Sequence, residues 1–566
     1  MKKLFIPLIA LLLAIGCTKD STENGSDGGN GGNGMTDYVP TGTITVKGKV
    51  YGSDGPLKGV VVSDGLLAVR TNDNGYYEID TNLDNAKFIM VSIPSGYTAP
   101  LDSNKLPIFY HRVTDDERKA KLCQVTFNLE KITDSDPNRY TMIIGADPQP
   151  RSSNKDLDKV AFPSLVMCEN LYRDIREKAA TITDRNVYGM MLGDIVHEDM
   201  SLFDTYITDG LSTLGFPMFN ILGNHDNDKT AKTDAEGRRK FEEKLGPTYY
   251  SFNIGKQHYI VLDNLIMKLN SSGQLKDYDQ GLTDEIWQWL QNDLRYVDRS
   301  TTLMVAAHSP MLKLIDMSDR SQSGGTKHGK DYATLLAKYA KVHAWAGHTH
   351  TTFNYVYPAG DRLASIEVHT LARSTGDLWT NEWSADGTPR GYTVVEVDGN
   401  DIKWYFKPTK YQTAKHQQTK TPAYKYRDWD YDDSGVAKMK SDGSTLSESY
   451  QMKVYKPGEY HNTYKEMIDG EEKPNKYIYV DIFMWDGNWE KPKFNGTTMT
   501  QVGYGDAYSL IDYEIKSFYT FSPNDYAPSD NNLHTLFRYY VSNESGSGTV
   551  TVKDRFGNEY SQTISW

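Results

Sequence analysis

Five apolar runs in the middle of the chain each end in a side chain that can bind a metal ion. These side chains are Asp147, Asp194, Asn224, His308 and His348, and the runs before them are 141–146, 190–193, 219–223, 304–307 and 344–347. In an open α/β sheet the carboxyl ends of the strands converge on one crevice, so residues far apart in sequence can meet there. His350, two residues after His348, faces the same side if the segment stays extended. Together these donors predict a metal centre at strand ends.

Each of these residues also has an ordinary structural interpretation. A single Asp after a strand is usually a helix N-cap, a single His is usually a satisfied polar group, and Asn224 before His225 could be a turn residue. Three of the candidate ligands, however, directly follow Gly193, Gly223 and Gly347, which allow a tight turn and a close approach of the backbone to an ion. Because all of these residues occur at strand ends in one stretch of the chain, a shared metal centre is favoured over unrelated structural roles.

The segment that carries these residues alternates strands with helices. Helical patterns are predicted near 163–180, 199–213, 283–298 and 332–340. This alternation predicts a layered α/β domain.

The flanking segments have a β pattern. Residues 43–132 show short strands and turns typical of a small β-sandwich, without a His, Cys or carboxylate cluster at ligand spacing, and His111 is predicted at the surface. Residues 411–566 are β-rich, with the strongest strand at 477–485. Their many Tyr and Trp residues could form a carbohydrate platform, but a core role is favoured.

The N-terminus predicts export. Two lysines, an apolar run at 4–15 and Gly16-Cys17 suit a signal peptide over 1–17, and the residues before Cys17 resemble a bacterial lipobox. We expect cleavage before Cys17, lipid attachment to it, and a membrane-anchored lipoprotein in the periplasm or at the cell surface; the alternative is an ordinary secretory signal. Residues 18–42, rich in Gly, Ser and Asn, predict a flexible linker.

Composition excludes several classes of protein. The formal charge of -13 offers no positive field for nucleic acid, so nucleic-acid binding is not expected. A hydrophobic content of 38% excludes general disorder. Cys17, Cys123 and Cys168 are too few and too scattered to predict a disulfide framework or a thiolate zinc site.

The ordered motifs resemble those of the calcineurin-like metallophosphoesterases, which are binuclear-metal hydrolases. The resemblance is carried by Gly193-Asp194, Gly223-Asn224-His225-Asp226, His308 and Gly347-His348-Thr349-His350. It implies a central four-layer α/β/β/α domain over residues 138–407, between the N-terminal β-sandwich and the C-terminal β-rich domain. The flanking domains and the exit segment 386–392 also resemble those of exported bacterial members.

The resemblance implies a ligand set and a catalytic pair. Asp194 would bridge two ions, with one site completed by Asp147, Gln149 and His350 and the other by Asn224, His308 and His348. His225 would stand beside the substrate phosphate, and Asp226 would orient its imidazole.

The sequence departs from the family pattern at Gln149, where Asp-x-His is common. An amide oxygen makes a harder site, which suits Mn²⁺, Mg²⁺ or Fe²⁺, although Zn²⁺ stays open. Purple acid phosphatases carry Tyr at the position of His197, so an Fe(III)–tyrosinate site is disfavoured. His197 is itself a possible ligand; the alternative is a loop residue bonded to Glu198 or Asp199.

The predicted function is metal-dependent hydrolysis of phosphate esters by a metal-bridging hydroxide. Substrates would be a small phosphate ester or a phosphorylated glycan or protein, and monoester and diester stay open. Arg373 and His369 are possible substrate contacts, near Trp379 and Trp383. The alternative is a catalytically weakened surface lipoprotein that acts as a ligand- or glycan-binding scaffold.

Overall fold

The computed structural model describes most of the chain beyond the N-terminal segment. The described residues are 38–151, 164–312, 326–357, 364–375, 384, 388–409, 429–431, 437–439, 448–457, 465–468, 471–474, 476–501 and 535–566. The predicted signal peptide with Cys17, most of the linker, and Trp379 and Trp383 lie outside these ranges. Among the helices in these ranges, none combines the length and apolar character needed to cross a bilayer.

The N-terminal segment consists of short strands and one short helix. They are β1 (Val46–Gly52), β2 (Gly55–Pro56), β3 (Val61–Ser63), β4 (Ala68–Arg70), β5 (Tyr76–Ile79), β6 (Phe88–Val91), β7 (Tyr97–Thr98), β8 (Tyr110–Arg112), α1 (Asp115–Ala120) and β9 (Cys123–Lys131). One sheet has the order β2-β1-β9-β7 with β5 also paired to β1, and the other has the order β4-β3-β6-β8. Val50 and Val62, one from each sheet, belong to the same hydrophobic core.

The central segment contains the strands and helices that carry the candidate ligands. They are β10 (Arg139–Gly145), α2 (Ser164–Ala180), β11 (Asn186–Met191), a π-helical turn (Phe203–Ile207), α3 (Thr208–Ser212), β12 (Met218–Asn220), a 3₁₀ turn (Asn224–Asp226), α4 (Asp234–Gly237), α5 (Arg239–Leu245), β13 (Tyr250–Ile254), β14 (Gln257–Leu262), β15 (Leu265–Leu269), β16 (Leu275–Gln280), α6 (Asp284–Leu294), β17 (Thr302–Ala307), α7 (Gly329–Leu336), β18 (Lys341–Ala346), β19 (Phe353–Tyr357), β20 (Ile366–Thr370), β21 (Gly391–Asp398) and β22 (Asp401–Pro408).

These strands form two large sheets and one hairpin. The first sheet has the order β12-β11-β10-β21-β22, the second has the order β13-β14-β17-β18-β20-β19, and β15 pairs with β16. The candidate ligands therefore come from both sheets: β10, β11 and β12 run parallel in the first, and β17 and β18 run parallel in the second. Apolar runs identify strands but not their partners, because any two buried strands offer the same pairing groups.

Alternating side chains bury both faces of each sheet. On β10, Met142 and Ile144 join the core that also contains Tyr259 of β14, while Ile143 packs with the helices on the other face. On β14, Ile260 packs with Trp289 of α6. The two sheets thus share one core, and helices cover their outer faces.

Local sequence explains the helix that covers the second sheet. Thr283 caps α6, since its side-chain oxygen accepts from the Ile286 backbone N–H at 3.2 Å, and Asp284 and Glu285 occupy the positive first turn. Ile286, Trp289, Leu290 and Leu294 recur at helical spacing and are buried. This apolar stripe fixes α6 against β14 and β17.

The described C-terminal residues are β-rich. Their strands are β23 (Trp429–Tyr431), β24 (Ala437–Met439), β25 (Met452–Tyr455), β26 (Lys465–Ile468), β27 (Glu471–Pro474), β28 (Tyr477–Ile482), β29 (Lys493–Phe494), β30 (Thr497–Thr498), β31 (Thr500–Gln501), β32 (Leu536–Tyr540), β33 (Ser547–Lys553) and β34 (Glu559–Ser565). The larger sheets have the orders β25-β28-β32-β31 and β30-β29-β33-β34. Trp485 and Trp489 are buried in the core, in line with the prediction that such aromatics are core residues.

Candidate metal centre

The candidate ligands lie at the carboxyl ends of strands from both sheets. Asp147, Asp194 and Asn224 follow β10, β11 and β12, and His308 and His348 follow β17 and β18. Because the two sheets pack face to face, these ends open on one crevice between them. The structure therefore brings together the residues that the strand-end pattern singled out.

The backbone at this crevice is held in the left-handed region, which side chains other than glycine rarely adopt. The φ angles are 49° at Asp147, 42° at Gln149, 50° at Asp194, 69° at His348 and 62° at His350. Hydrogen bonds hold these conformations: Gln149 N donates to Asp194 O at 3.0 Å, and His348 N donates to Asp147 Oδ2 at 2.9 Å. Strain concentrated at five donors is typical of a functional site.

Two glycines of the motifs are required by close approach. A Cβ atom on Gly223 would overlap the backbone nitrogen of Asp194, and one on Gly347 would overlap the carboxylate of Asp147. A larger residue would displace Asp194 in the first case and Asp147 in the second. The glycines therefore set the spacing of the donors.

One group of donors surrounds the imidazole of His308. Its Nε2 atom lies 3.3 Å from Asp194 Oδ1, 3.1 Å from Asn224 Oδ1 and 3.2 Å from His348 Nδ1. Ligand bonds of about 2.0–2.3 Å place neighbouring donors roughly 3–3.6 Å apart, so these separations match the edges of a coordination shell. A divalent ion fits this donor set.

The two imidazoles in this group are oriented by their other nitrogen atoms. His308 Nδ1 lies 2.7 Å from the carbonyl oxygen of Leu192, to which it donates, and His348 Nε2 lies 3.0 Å from the Tyr278 hydroxyl. Partners of this kind fix the tautomer and aim the free nitrogen at a metal. Nε2 of His308 and Nδ1 of His348 consequently face each other across the centre.

A second group contains Asp147, Asp194 and His350. One donor atom from each lies within 4.8 Å of the others, and His350 Nε2 is 3.6 Å from Asp147 Oδ1. Gln149 joins this group, since its Nε2 atom donates to Asp194 Oδ2 at 2.5 Å. To serve as a ligand, the amide would have to turn its oxygen toward the ion, which rotation about the last side-chain torsion allows.

Electrostatics in the crevice also fit a cation. Burial raises the pKa of Asp147, and the nearby carboxylate of Asp194 adds to the shift. Burial would also raise the pKa of Asp194, but the imidazoles of His308 and His225 outweigh it and hold that pKa well below its usual range. Two buried carboxylates this close need positive charge between them, which divalent ions supply.

His225 lies next to the donors without facing into their shells. Its backbone N–H donates to Asp194 Oδ1 at 2.9 Å, and its Nε2 atom is 4.0 Å from Asp194 Oδ2. The ring stacks on His197 at 4.3 Å between centroids and is 24% exposed. His225 is therefore within reach of a molecule that enters the crevice.

Models of one phosphoesterase family match three consecutive segments of the chain. Residues 44–132 match the N terminal of Calcineurin-like phosphoesterase, 146–352 match Calcineurin-like phosphoesterase, and 369–560 match the C terminal of Calcineurin-like phosphoesterase. This chain belongs to the calcineurin-like metallophosphoesterase superfamily. The resemblance that the motifs suggested is confirmed, and it includes the flanking segments.

Individual relatives of this metallophosphoesterase cover only part of it. A probable purple acid phosphatase 20 of Arabidopsis thaliana is 32% identical over 139 residues, which are 24% of this chain and 29% of that protein. Among solved structures, the purple acid phosphatase PPD1 of yellow lupin is 15% identical with a TM-score of 0.34, over 49% of this chain and 52% of that one. A 5'-nucleotidase of Candida albicans is 12% identical with a TM-score of 0.30, over 48% and 51%.

Two residues predicted to touch the substrate occupy different places in this metallophosphoesterase. Arg373 reaches the site, where its Nε donates to Asp147 O at 3.3 Å, and it is fully buried. His369 is buried: its Nε2 lies 3.0 Å from His343 Nδ1, and its ring stacks on Trp345 at 4.1 Å between centroids. Its position on β20 buries the ring in the core, and a substrate contact by His369 stays a prediction.

The structure also differs from the expectation that Asp226 orients His225. The Asp226 carboxylate accepts from Val196 N at 2.9 Å and from Gly223 N at 2.8 Å, so it fixes the loop. The carboxylate beside the His225 ring belongs to Glu198, at 3.4 Å from Nδ1.

His197 is half-buried and lies against His225. Together with Glu198 and His225 it forms a group whose donor atoms lie within 4.8 Å, separate from the group of Asp147. Burial lowers the pKa of His197 to about 2, so its ring is neutral. The possible ligand role of His197 stays a prediction.

Sequence reasoning missed the hairpin β15–β16, which reaches the site with Tyr278 and Lys276. Lys276 Nζ lies 3.3 Å from Glu198 Oε1. The alternation of polar residues in 275–280 indicates a strand, but nothing in it shows that the strand overhangs the crevice.

A donor group also occurs in the N-terminal segment, where none was predicted. His111 Nε2 lies 3.0 Å from Glu117 Oε1, and Cys123 Sγ lies 3.4 Å from the same oxygen. The expectation missed it because the three residues come from β8, α1 and β9. Glu117 already serves the capping box of α1 with Thr114, which gives the group a structural role.

Proposed function

We propose that this protein hydrolyses phosphate esters at a centre of two divalent metal ions. The observation that carries the proposal is the meeting of carboxylate, amide and imidazole donors at the spacing of coordination shells. One ion would be held by Asp147, Gln149, Asp194 and His350, and the other by Asp194, Asn224, His308 and His348. Two sheets with helices on both outer faces agree with the four-layer α/β/β/α interpretation.

The ions would supply a phosphate clamp and an activated water nucleophile. The protein's own contribution is positioning and charge. His225 presents Nε2 toward Asp194, so it can stabilise the phosphate or protonate the departing oxygen. Arg373, fixed behind Asp147, adds positive charge to the crevice.

The proposal is tested with the purified protein by metal analysis and turnover together. We expect about two equivalents of Mn²⁺, Mg²⁺, Fe²⁺ or Zn²⁺ after loading, and hydrolysis of p-nitrophenyl phosphate, bis(p-nitrophenyl) phosphate or both. Asp194→Asn should lose metal and turnover together. A protein that takes up metal but hydrolyses neither compound nor any member of mono- and diester libraries would instead support the scaffold alternative.

We also propose export and a lipid anchor on Cys17. The support is the basic start, the apolar run and the lipobox-like residues in the sequence. Labelling with a radioactive fatty acid should mark the wild-type protein and not a Cys17→Ser variant. Equal labelling of both would refute the anchor.

A further inference from the structure

A cluster of charged and imidazole side chains lies beside the ring of His225, next to the proposed metal centre. The cluster consists of Glu198, Lys229, Lys276 and His197, which come from the loop after β11, the loop after the 3₁₀ turn, and the hairpin strand β16. None of these residues follows an apolar run as the ligands do, and the family motifs quoted above do not contain them. Their convergence exists only in the folded chain.

Glu198 is joined to His225 by a backbone hydrogen bond, and its carboxylate lies near the ring. The Glu198 backbone N–H donates to the His225 carbonyl oxygen at 2.9 Å, and Glu198 Oε1 lies 3.4 Å from His225 Nδ1. The φ angle of Glu198 is 59°, a left-handed conformation that the loop maintains at a cost. With Nδ1 turned to this carboxylate, Nε2 is the nitrogen that faces Asp194.

The Glu198 carboxylate is itself fixed by two cations. Lys229 pairs with Oε2 and Lys276 lies 3.3 Å from Oε1, while the Glu198 side chain is only 12% exposed. The backbones of the two lysine segments are joined, since Leu275 N donates to Lys229 O at 3.0 Å. Two ion pairs to a nearly buried carboxylate restrict its rotation.

His197 closes the other side of the ring. Its imidazole stacks on that of His225 with an interplanar angle of 25°, and its backbone N–H donates to Pro150 O at 2.9 Å. The His225 ring is thus bounded by a stacked face and a carboxylate edge. Asp226 is occupied with backbone N–H groups and does not compete for this role.

We infer that Glu198, held by Lys229 and Lys276, is the positioning residue for His225. This inference rests on the proposed function, in which His225 acts on the departing group. The carboxylate fixes which nitrogen faces the substrate and stabilises positive charge on the ring when a proton is passed. Removing it should therefore slow the steps that need a proton more than those that do not.

The test compares leaving groups that differ in their need for a proton. We expect Glu198→Gln to lower kcat for phenyl phosphate, whose phenolate leaving group is strongly basic, by about 10-fold or more. The loss should be smaller for p-nitrophenyl phosphate, whose weakly basic leaving group departs without a proton. KM should not rise, because both lysines remain, and metal content should be unchanged. Glu198→Asp should recover part of kcat.

A double-mutant cycle separates this role from a structural one. In a His225→Ala background, Glu198→Gln should have almost no further effect, because its partner is gone. Glu243→Gln, an exposed glutamate paired with Lys240 on α5, is the matched control and should behave as wild type. Wild-type turnover establishes the proposed function independently of these variants.

Three results would overturn the inference while wild type is active. They are equal losses for both leaving groups, additive effects of Glu198→Gln and His225→Ala, or a raised KM with unchanged kcat. The last result would assign the cluster to substrate binding.

Discussion

The hydroxyl of Tyr278 provides a sharp test of how the donors around His308 and His348 are oriented. It lies 3.0 Å from His348 Nε2, and the two rings also meet edge to face at 5.6 Å between centroids. With His348 Nδ1 turned to the centre, the Nε2–H group donates to the phenol oxygen. Tyr278→Phe removes this acceptor and keeps the ring contact, so the change is limited to one hydrogen bond.

The size of the effect follows from what the bond does. Partners that orient a metal-binding imidazole are worth about 10- to 100-fold in metal affinity or activity, which corresponds to roughly 1.4–2.7 kcal/mol. Because His348 also donates its backbone N–H to Asp147, it stays in the crevice and only its ring orientation loosens. We therefore expect weaker binding of one ion and not the loss of both.

The assay is titration of metal-free protein with Mn²⁺ by calorimetry, together with kcat for p-nitrophenyl phosphate. Tyr206→Phe is the matched control, since its hydroxyl donates to Leu165 O at 2.9 Å, away from the candidate ligands. Two ions bound by Tyr278→Phe with wild-type affinity, at a wild-type kcat, would refute the reasoning about ring orientation.

Three further outcomes are expected. His225→Ala should reduce turnover by about 10² to 10⁴ with metal content nearly unchanged, and loss of one metal equivalent would contradict its placement outside the shells. Lys407→Met should lower the free energy of unfolding in urea by about 3–5 kcal/mol, because it removes the cation that pairs with the buried Asp174 carboxylate. Adding Asp174→Asn should restore part of this loss, and a larger combined loss would contradict the prediction. Burial acts to raise the pKa of Glu117, but its hydrogen bonds, led by the one from the backbone N–H of Thr114, outweigh burial and lower that pKa to about 2. The ionised carboxylate therefore stabilises the fold fully above the ordinary pKa of 4.5, and this stabilisation is lost as the pH falls toward 2. The difference in melting temperature between wild type and Glu117→Gln should accordingly be smaller at pH 3 than at pH 5. An equal difference at both pH values would contradict this prediction.

The strand-end pattern shows how far local sequence could go. An apolar run marks a strand, and a polar residue after the run marks the end of that strand. This pattern identifies Asp147, Asp194, Asn224, His308 and His348. The glycines before Asp194, Asn224 and His348 indicate that the backbone comes close to neighbouring atoms there. In the structure, atoms beside these glycines leave no room for a Cβ atom. Such features depend on neighbours in sequence, so the sequence contains them.

The contacts between distant segments were decided only by tertiary structure. The division of the strands between two sheets, the burial of His369 and the engagement of Asp226 with backbone N–H groups all depend on which elements pair. Local sequence favours many pairings almost equally, because the energy that separates them comes from burial across the whole core.

Local sequence carries the family motifs and the candidate donors, whereas the folded chain sets the positions of the residues around them. Residue types and their order specified the family and the donors, since a ligand must have the right atom whatever its surroundings. The residues that contact those donors and His225 could not be identified from local sequence. Glu198, Lys276 and Tyr278 carry no motif, and they reach the crevice only because a loop and a hairpin from different parts of the chain pack over it.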